Sequence, residues 1–150
     1  MSTNTSRVAA IGRLNLGFSF TFKDEIFKTK FMFSTHQSDE VFSEDLKKFL
    51  DIEDVSNWDI TRCKKDGEAY ALCQATTDQQ KVVIRTIGEE DTTALYLANI
   101  THECFHAVSR TLRFLQIPLS DNTEEVYAYY QNFIIEQIYK ELASKTDVCT

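Results

Sequence analysis

The chain has 150 residues, 43% hydrophobic and 26% charged, enough to close one core with no disulfide or metal to hold it. Its formal net charge is −7, from 16 basic and 23 acidic residues with no basic stripe, which argues against nucleic-acid binding through phosphate. The sequence contains no apolar run long enough for a membrane span and no signal-like N-terminus, and none of Cys63, Cys73, Cys104 and Cys149 forms a C-x-x-C pair. The expectation is therefore a single domain over 1–150 in a reducing cytoplasm, without membrane association or a cysteine zinc site.

Residues 1–7 and 144–150 are polar and read as frayed tails. Leu14, Leu16, Phe18, Phe20 and Phe22 alternate at the strand period. Phe27, Phe31 and Phe33 repeat it, which predicts a hairpin around Lys23-Asp24-Glu25. "SDEVFSEDLKKFL" switches to helical spacing. Ser38 caps it, Asp39 and Glu40 suit its positive end, Lys47 and Lys48 its negative end, and Val41, Phe42, Leu46, Phe49 and Leu50 form its buried side. "DIEDVSN" reads as a loop. "NWDITRCKKDGEAYALCQA" predicts two strands around an Asp66-Gly67 turn, and "KVVIRTI" a further strand stopped at Gly88. From Asp91 to about Leu115 the pattern is helical, and Pro118 ends it. "SDNTEEVYAYYQNFIIEQIYKEL" is a second long helix, capped by Asn122 or Thr123. The order predicts an α+β fold, a largely antiparallel sheet packed on helices.

Within the first long helix, "THECFHAV" places His102 and His106 four residues apart, with Glu103 beside the first. Side chains at i and i+4 share one helix face, so two imidazoles can address one ion. Glu103 lies about 100° round the helix, within reach of a metal-bound water. The residues alone leave two readings open. Leu97, Ile100, Cys104, Val108, Leu112 and Leu115 make an apolar arc, and the histidines lie off it with Asn99, Arg110 and Arg113, as on any solvated face. A zinc hydrolase also needs a third protein ligand. The short linker "QIPLSDN" predicts that the next helix returns antiparallel. Its Glu125, opposite the apolar Val126, Tyr127, Tyr130, Phe133, Ile134 and Ile138, is then the candidate, with Glu124 second. Either carboxylate also has a plain role at a helix N-terminus. His36, in a loop, is a remote alternative ligand.

"THECFHAV", followed through "LQIPLSDN" by "EEVYAYYQNFI", resembles small HExxH proteins of tailed bacteriophages and prophages, which are similar to minimal gluzincin metallopeptidases. The resemblance covers about residues 80–140 and leaves the first half without a family signature. It implies a zincin-like fold, zinc held by His102, His106 and Glu125, and Glu103 as general base. It also implies that "KVVIRTI" aligns an extended substrate. Within that chemistry Tyr129 is the best candidate to stabilise an oxyanion, Arg110 and Arg113 weaker ones, and Asn99 and Glu136 are candidates to orient the histidines. The expected function is a zinc-dependent peptidase-like hydrolase acting on a peptide or protein in the host cytoplasm. The alternatives are a non-catalytic protein that docks on a host or phage partner, and an acidic inhibitor of a host nucleic-acid enzyme.

Overall fold

The structure is a computed structural model that describes residues 17–64 and 69–147. The predicted Asp66-Gly67 turn, the first two apolar positions Leu14 and Leu16, the 1–7 tail and Cys149 lie outside that set. Among these residues seven elements follow in chain order: β1 (Phe18–Lys23), β2 (Lys30–Thr35), α1 (Asp39–Leu50), β3 (Ala71–Ala75), β4 (Lys81–Thr86), α2 (Thr93–Phe114) and α3 (Glu124–Asp147).

The strands form one sheet in the order β1-β2-β4-β3. The outer pairings, β1 with β2 and β3 with β4, are antiparallel, while the central pair β2 and β4 is parallel. A parallel pair cannot be joined by a tight turn, so the chain from His36 to Gln80 must cross over, and α1 and β3 both lie in that crossover. The sheet is thus mostly antiparallel as expected, but its centre is not.

The first connection is longer than the hairpin turn predicted. Asp24 is buried, and its carboxylate accepts the backbone N–H of Ile26 at 2.8 Å and of Phe27 at 2.7 Å. Its own N–H donates to Thr29 O at 2.9 Å. Phe27 therefore belongs to the turn, and its ring packs edge-on against Tyr130 with centroids 5.3 Å apart. No strand forms over the "NWDITR" segment. Its backbone closes short turns, Trp58 to Val55 and Ile60 to Trp58, and then one isolated bridge joins Cys63 to Ala69.

Strand alternation sorts the core into two layers. Phe31, Phe33, Cys73, Val82 and Ile84 face α2 and α3, whereas Met32 and Val83 face α1. α1 begins where predicted: Ser38 Oγ accepts Val41 N at 3.2 Å, and the helix closes at Asp51 in the left-handed region. Its buried side is Phe42, Leu46 and Leu50, while Val41 is 51% exposed because it falls outside that stripe. Ile134, Ile138 and Leu142 of α3 are fully buried, each contributing about 1.5–3 kcal/mol by removal from water.

α2 ends on hydrogen bonds rather than on its proline. Gln116 takes a positive φ, its N–H donates to Arg113 O at 3.0 Å, and Ile117 N–H donates to Leu112 O at 2.8 Å. These two bonds satisfy the last carbonyls in the Schellman pattern, two residues before Pro118. Leu115 is left outside and 40% exposed, against its predicted place on the buried arc. α3 runs to Asp147, past the point where composition suggests a frayed tail.

Candidate metal centre

α2 starts at Thr92, whose hydroxyl accepts Leu95 N at 3.1 Å. Its buried side is Tyr96, Ile100, Glu103, Cys104, Ala107, Val108, Thr111 and Leu112. His102 and His106 lie off that side and are exposed, as the periodicity predicts. Their Nε2 atoms are 3.1 Å apart and their ring centroids 4.8 Å. Two nitrogens bound at about 2.1 Å to one tetrahedral ion stand roughly 3.4 Å apart, so the pair fits two corners of a zinc shell.

Glu103 does not share their exposure. It is 8% exposed and turned toward the edge strand β3. Burial raises its pKa above the ordinary 4.5, while His106, His102, Arg110 and the nearby backbone N–H of Cys73 pull the other way. A carboxyl whose pKa is raised by burial is a stronger proton acceptor than a solvated one.

The third ligand is where expectation and structure part. The helices are adjacent and antiparallel, as predicted, but α3 covers a different side of α2. Thr101 Oγ1 lies 3.4 Å from Tyr139 Oη, and Gln131 Nε2 reaches Thr101 O at 3.5 Å. Thr101 is about 100° round the helix from His102 and about 140° from His106. Glu125 starts α3 six residues before Gln131, about 9 Å of helix rise further away. Glu124 and Glu125 are both exposed there, and among the described residues no group of three or more His, Cys, Asp or Glu side chains is placed to hold a metal. The two imidazoles stand within hydrogen-bond distance of each other, and the three-ligand gluzincin set is not assembled among the described residues.

The supporting candidates divide similarly. Tyr129 is 71% exposed and lines a groove with Ile26, Phe27 and Val126 near the β1–β2 turn, on α3 rather than on the histidine face. Glu136 pairs with Lys140 at 2.8 Å. Asn99 Nδ2 donates to Glu90 Oε1 at 3.1 Å, not to a histidine. Of the two arginines, Arg110 acts on Glu103, and Arg113 is exposed in the last turn. "KVVIRTI" is β4, bonded on both sides by β2 and β3, so it has no free edge for a substrate; among the described residues the edge strand next to it is β3. Burial pushes the Cys73 thiol up to about 12 and that of Cys63 to about 11, which keeps both protonated at neutral pH.

Two polar clusters escaped the sequence reading. His36, at φ 56°, meets Thr35 Oγ1 through Nδ1 at 2.7 Å, and the same hydroxyl meets Tyr96 Oη at 2.7 Å. Its ring packs where a side chain on Gly88 would collide, which explains a glycine there. Arg85, 2% exposed, reaches Asp39 Oδ1 at 2.9 Å, Gln37 O at 3.2 Å and Ile60 O at 2.5 Å, and lies over the Phe42 ring. A charged residue inside the apolar run "VVIRTI" was the available signal.

Comparison of the chain with protein-family models, with curated proteins and with solved structures returned no match. Among the described residues no helix is long and apolar enough to cross a membrane.

Proposed function

We propose that this chain is a zinc-dependent hydrolase of the HExxH type, acting on peptide bonds. One observation carries the reading: two exposed imidazoles on α2 with Nε2 atoms 3.1 Å apart, and the motif glutamate beside them with its pKa raised by burial. His102 and His106 would hold the ion, and bound zinc would supply Lewis acidity and lower the pKa of water there. Glu103 would accept a proton from water and return it to the leaving amine, a role its raised pKa favours. Among the described residues β3 is the edge strand next to β4, and its edge beyond the Cys73–Glu103 contact is where an extended peptide would lie, in place of β4. The zincin-like fold and a phage or prophage origin rest on the motif and its resemblance.

A second reading has its own support. Glu103 is buried against β3, and without a third ligand the histidines make a two-point metal site on a protein whose work is to dock on a partner. Protein purified without a histidine tag separates the two. Zinc per chain is measured by atomic absorption, and peptide-bond cleavage is measured on a denatured protein mixture by new amino termini. Under the hydrolase reading the native chain binds zinc and cleaves, His102→Ala loses both, and Glu103→Gln keeps zinc but not cleavage. Zinc binding with no cleavage by the native chain supports the docking reading. No zinc binding at all removes the metal from both.

A further inference from the structure

We propose that the groove between β1 and α1, on the sheet face opposite the histidines, binds a small phosphate-bearing molecule. The observation is a row of like charges. Lys23 on β1 stands directly opposite Lys30 on β2, and Lys30 is in register with Lys81 on β4. All three project from the α1 side of the sheet, two residues from Thr21, Met32 and Val83 on that face. Cross-strand neighbours have Cβ atoms about 5 Å apart, and like charges there are destabilising.

One member of the row is accounted for within the fold. Lys81 Nζ donates to Phe49 O, in the last turn of α1, at 2.9 Å. The negative end of a helix attracts such a cation. Lys23, Lys30 and Lys48 are all exposed, and among the described residues none of them takes part in an ion pair. Glu25 is near enough to Lys23 to feel its charge, but its carboxylate is paired with Lys28 at 3.0 Å. Lys23, Lys30 and Lys48 line one cavity of about 770 Å³, together with Ser19, Thr21 and Phe49. That is a usual size for a small-ligand site. Asp45 also lines it, but its Oδ2 already accepts Ser19 Oγ at 2.6 Å and Gln37 Nε2 at 2.8 Å. The groove therefore presents three ammonium groups outside any ion pair, in a chain of net charge −7.

The chemistry selects the ligand class. Ammonium groups lining one groove from two strands and a helix suit a compact multivalent anion as point charges, and the Thr21 hydroxyl is a further donor there. The half-buried Phe49 ring offers a flat apolar contact for whatever carries the phosphate. A long polyanion is disfavoured by the chain's net charge of −7.

The test titrates the full chain with inorganic pyrophosphate and, separately, inorganic phosphate, at ionic strength held constant with sodium chloride, following binding by calorimetry and stability by the thermal midpoint. The proposal expects saturable one-to-one binding that raises the midpoint, pyrophosphate binding tighter than phosphate. Lys23→Gln/Lys30→Gln should weaken binding at least about tenfold, because two charge-assisted hydrogen bonds to the anion are removed. Without ligand that variant should be as stable as the native chain or more so, because a repulsion is removed, which shows that it folds. Lys140→Gln, on the exposed face of α3, should bind like the native chain. Absence of saturable binding overturns the proposal. So does binding that survives Lys23→Gln/Lys30→Gln, or binding of an acidic peptide with none of pyrophosphate.

Discussion

Thr101 Oγ1 and Tyr139 Oη stand 3.4 Å apart between α2 and α3, and Tyr139 Oη lies equally close to Leu97 O. This contact defines which side of α2 the last helix covers, and it is not the side of His102 and His106. Glu125 is therefore expected to contribute little to metal binding. Glu125→Gln should change zinc affinity by less than about threefold, while His102→Ala or His106→Ala should lower it at least tenfold, within the range typical of removing a metal's ligands or their neighbours. Competition against a chromogenic chelator measures all three. An equal loss in Glu125→Gln would mean that α3 turns about α2 when metal binds.

Glu103 makes stability depend on pH. Its folded pKa lies above 4.5, so between 4.5 and that value the folded chain holds more protons than the unfolded chain. Stability then falls as pH rises through the window and stays lower above it. Glu103→Gln should match or exceed the native chain in stability at pH 7, and the gap should close below about pH 4. Urea midpoints across that range are the readout. A variant less stable at pH 7 by more than about 1 kcal/mol would show that ionic attraction to His106, His102 and Arg110 outweighs burial.

Arg85 is the buried charge on which the centre of the sheet depends. Its side chain is 2% exposed against 43% for its partner Asp39. Removing one partner of a fully buried pair costs about 3–5 kcal/mol, and solvent around Asp39 reduces that. Asp39→Asn should cost about 1–3 kcal/mol by urea denaturation. Arg85→Met keeps the length and removes the charge, so it should be milder than Arg85→Ala, which also forfeits the packing on Phe42.

His36 works in the opposite direction to Glu103. Burial lowers its pKa below 6.5, and Glu90 and a Gly88 backbone group only partly offset this. As pH falls below 6.5 the unfolded chain takes up the proton first, so stability is lost from there down through the folded pKa. His36→Asn tolerates the left-handed backbone at φ 56° and should flatten that part of the profile. A profile between pH 7 and 5 that is the same for both proteins would remove His36 as its cause.

Much of this protein is legible without coordinates. The alternation of Phe18, Phe20 and Phe22 against Phe31 and Phe33 appears as the β1–β2 pairing, and Ser38 caps α1 as its side chain allows. Those features depend on neighbours a few residues away. The misreadings fall where partners come from afar. The "NWDITRC" stretch has strand-like composition, yet only an isolated Cys63–Ala69 bridge forms there. Val126 looks core-facing on a helical wheel but is 39% exposed, whereas its neighbour Tyr127 is buried in the core.

The sequence by itself determined the α+β class, the helix carrying His102, Glu103 and His106, and the exposure of both imidazoles, because periodicity and side-chain chemistry are local. Only the tertiary structure decided that β2 and β4 run parallel at the centre of the sheet, that Glu103 is buried beside Cys73 of β3, and that among the described residues no third His, Cys, Asp or Glu side chain is grouped with the histidines. The rotation of one helix about another is set by which side chains interlock along both lengths, and no short stretch of either helix contains that information.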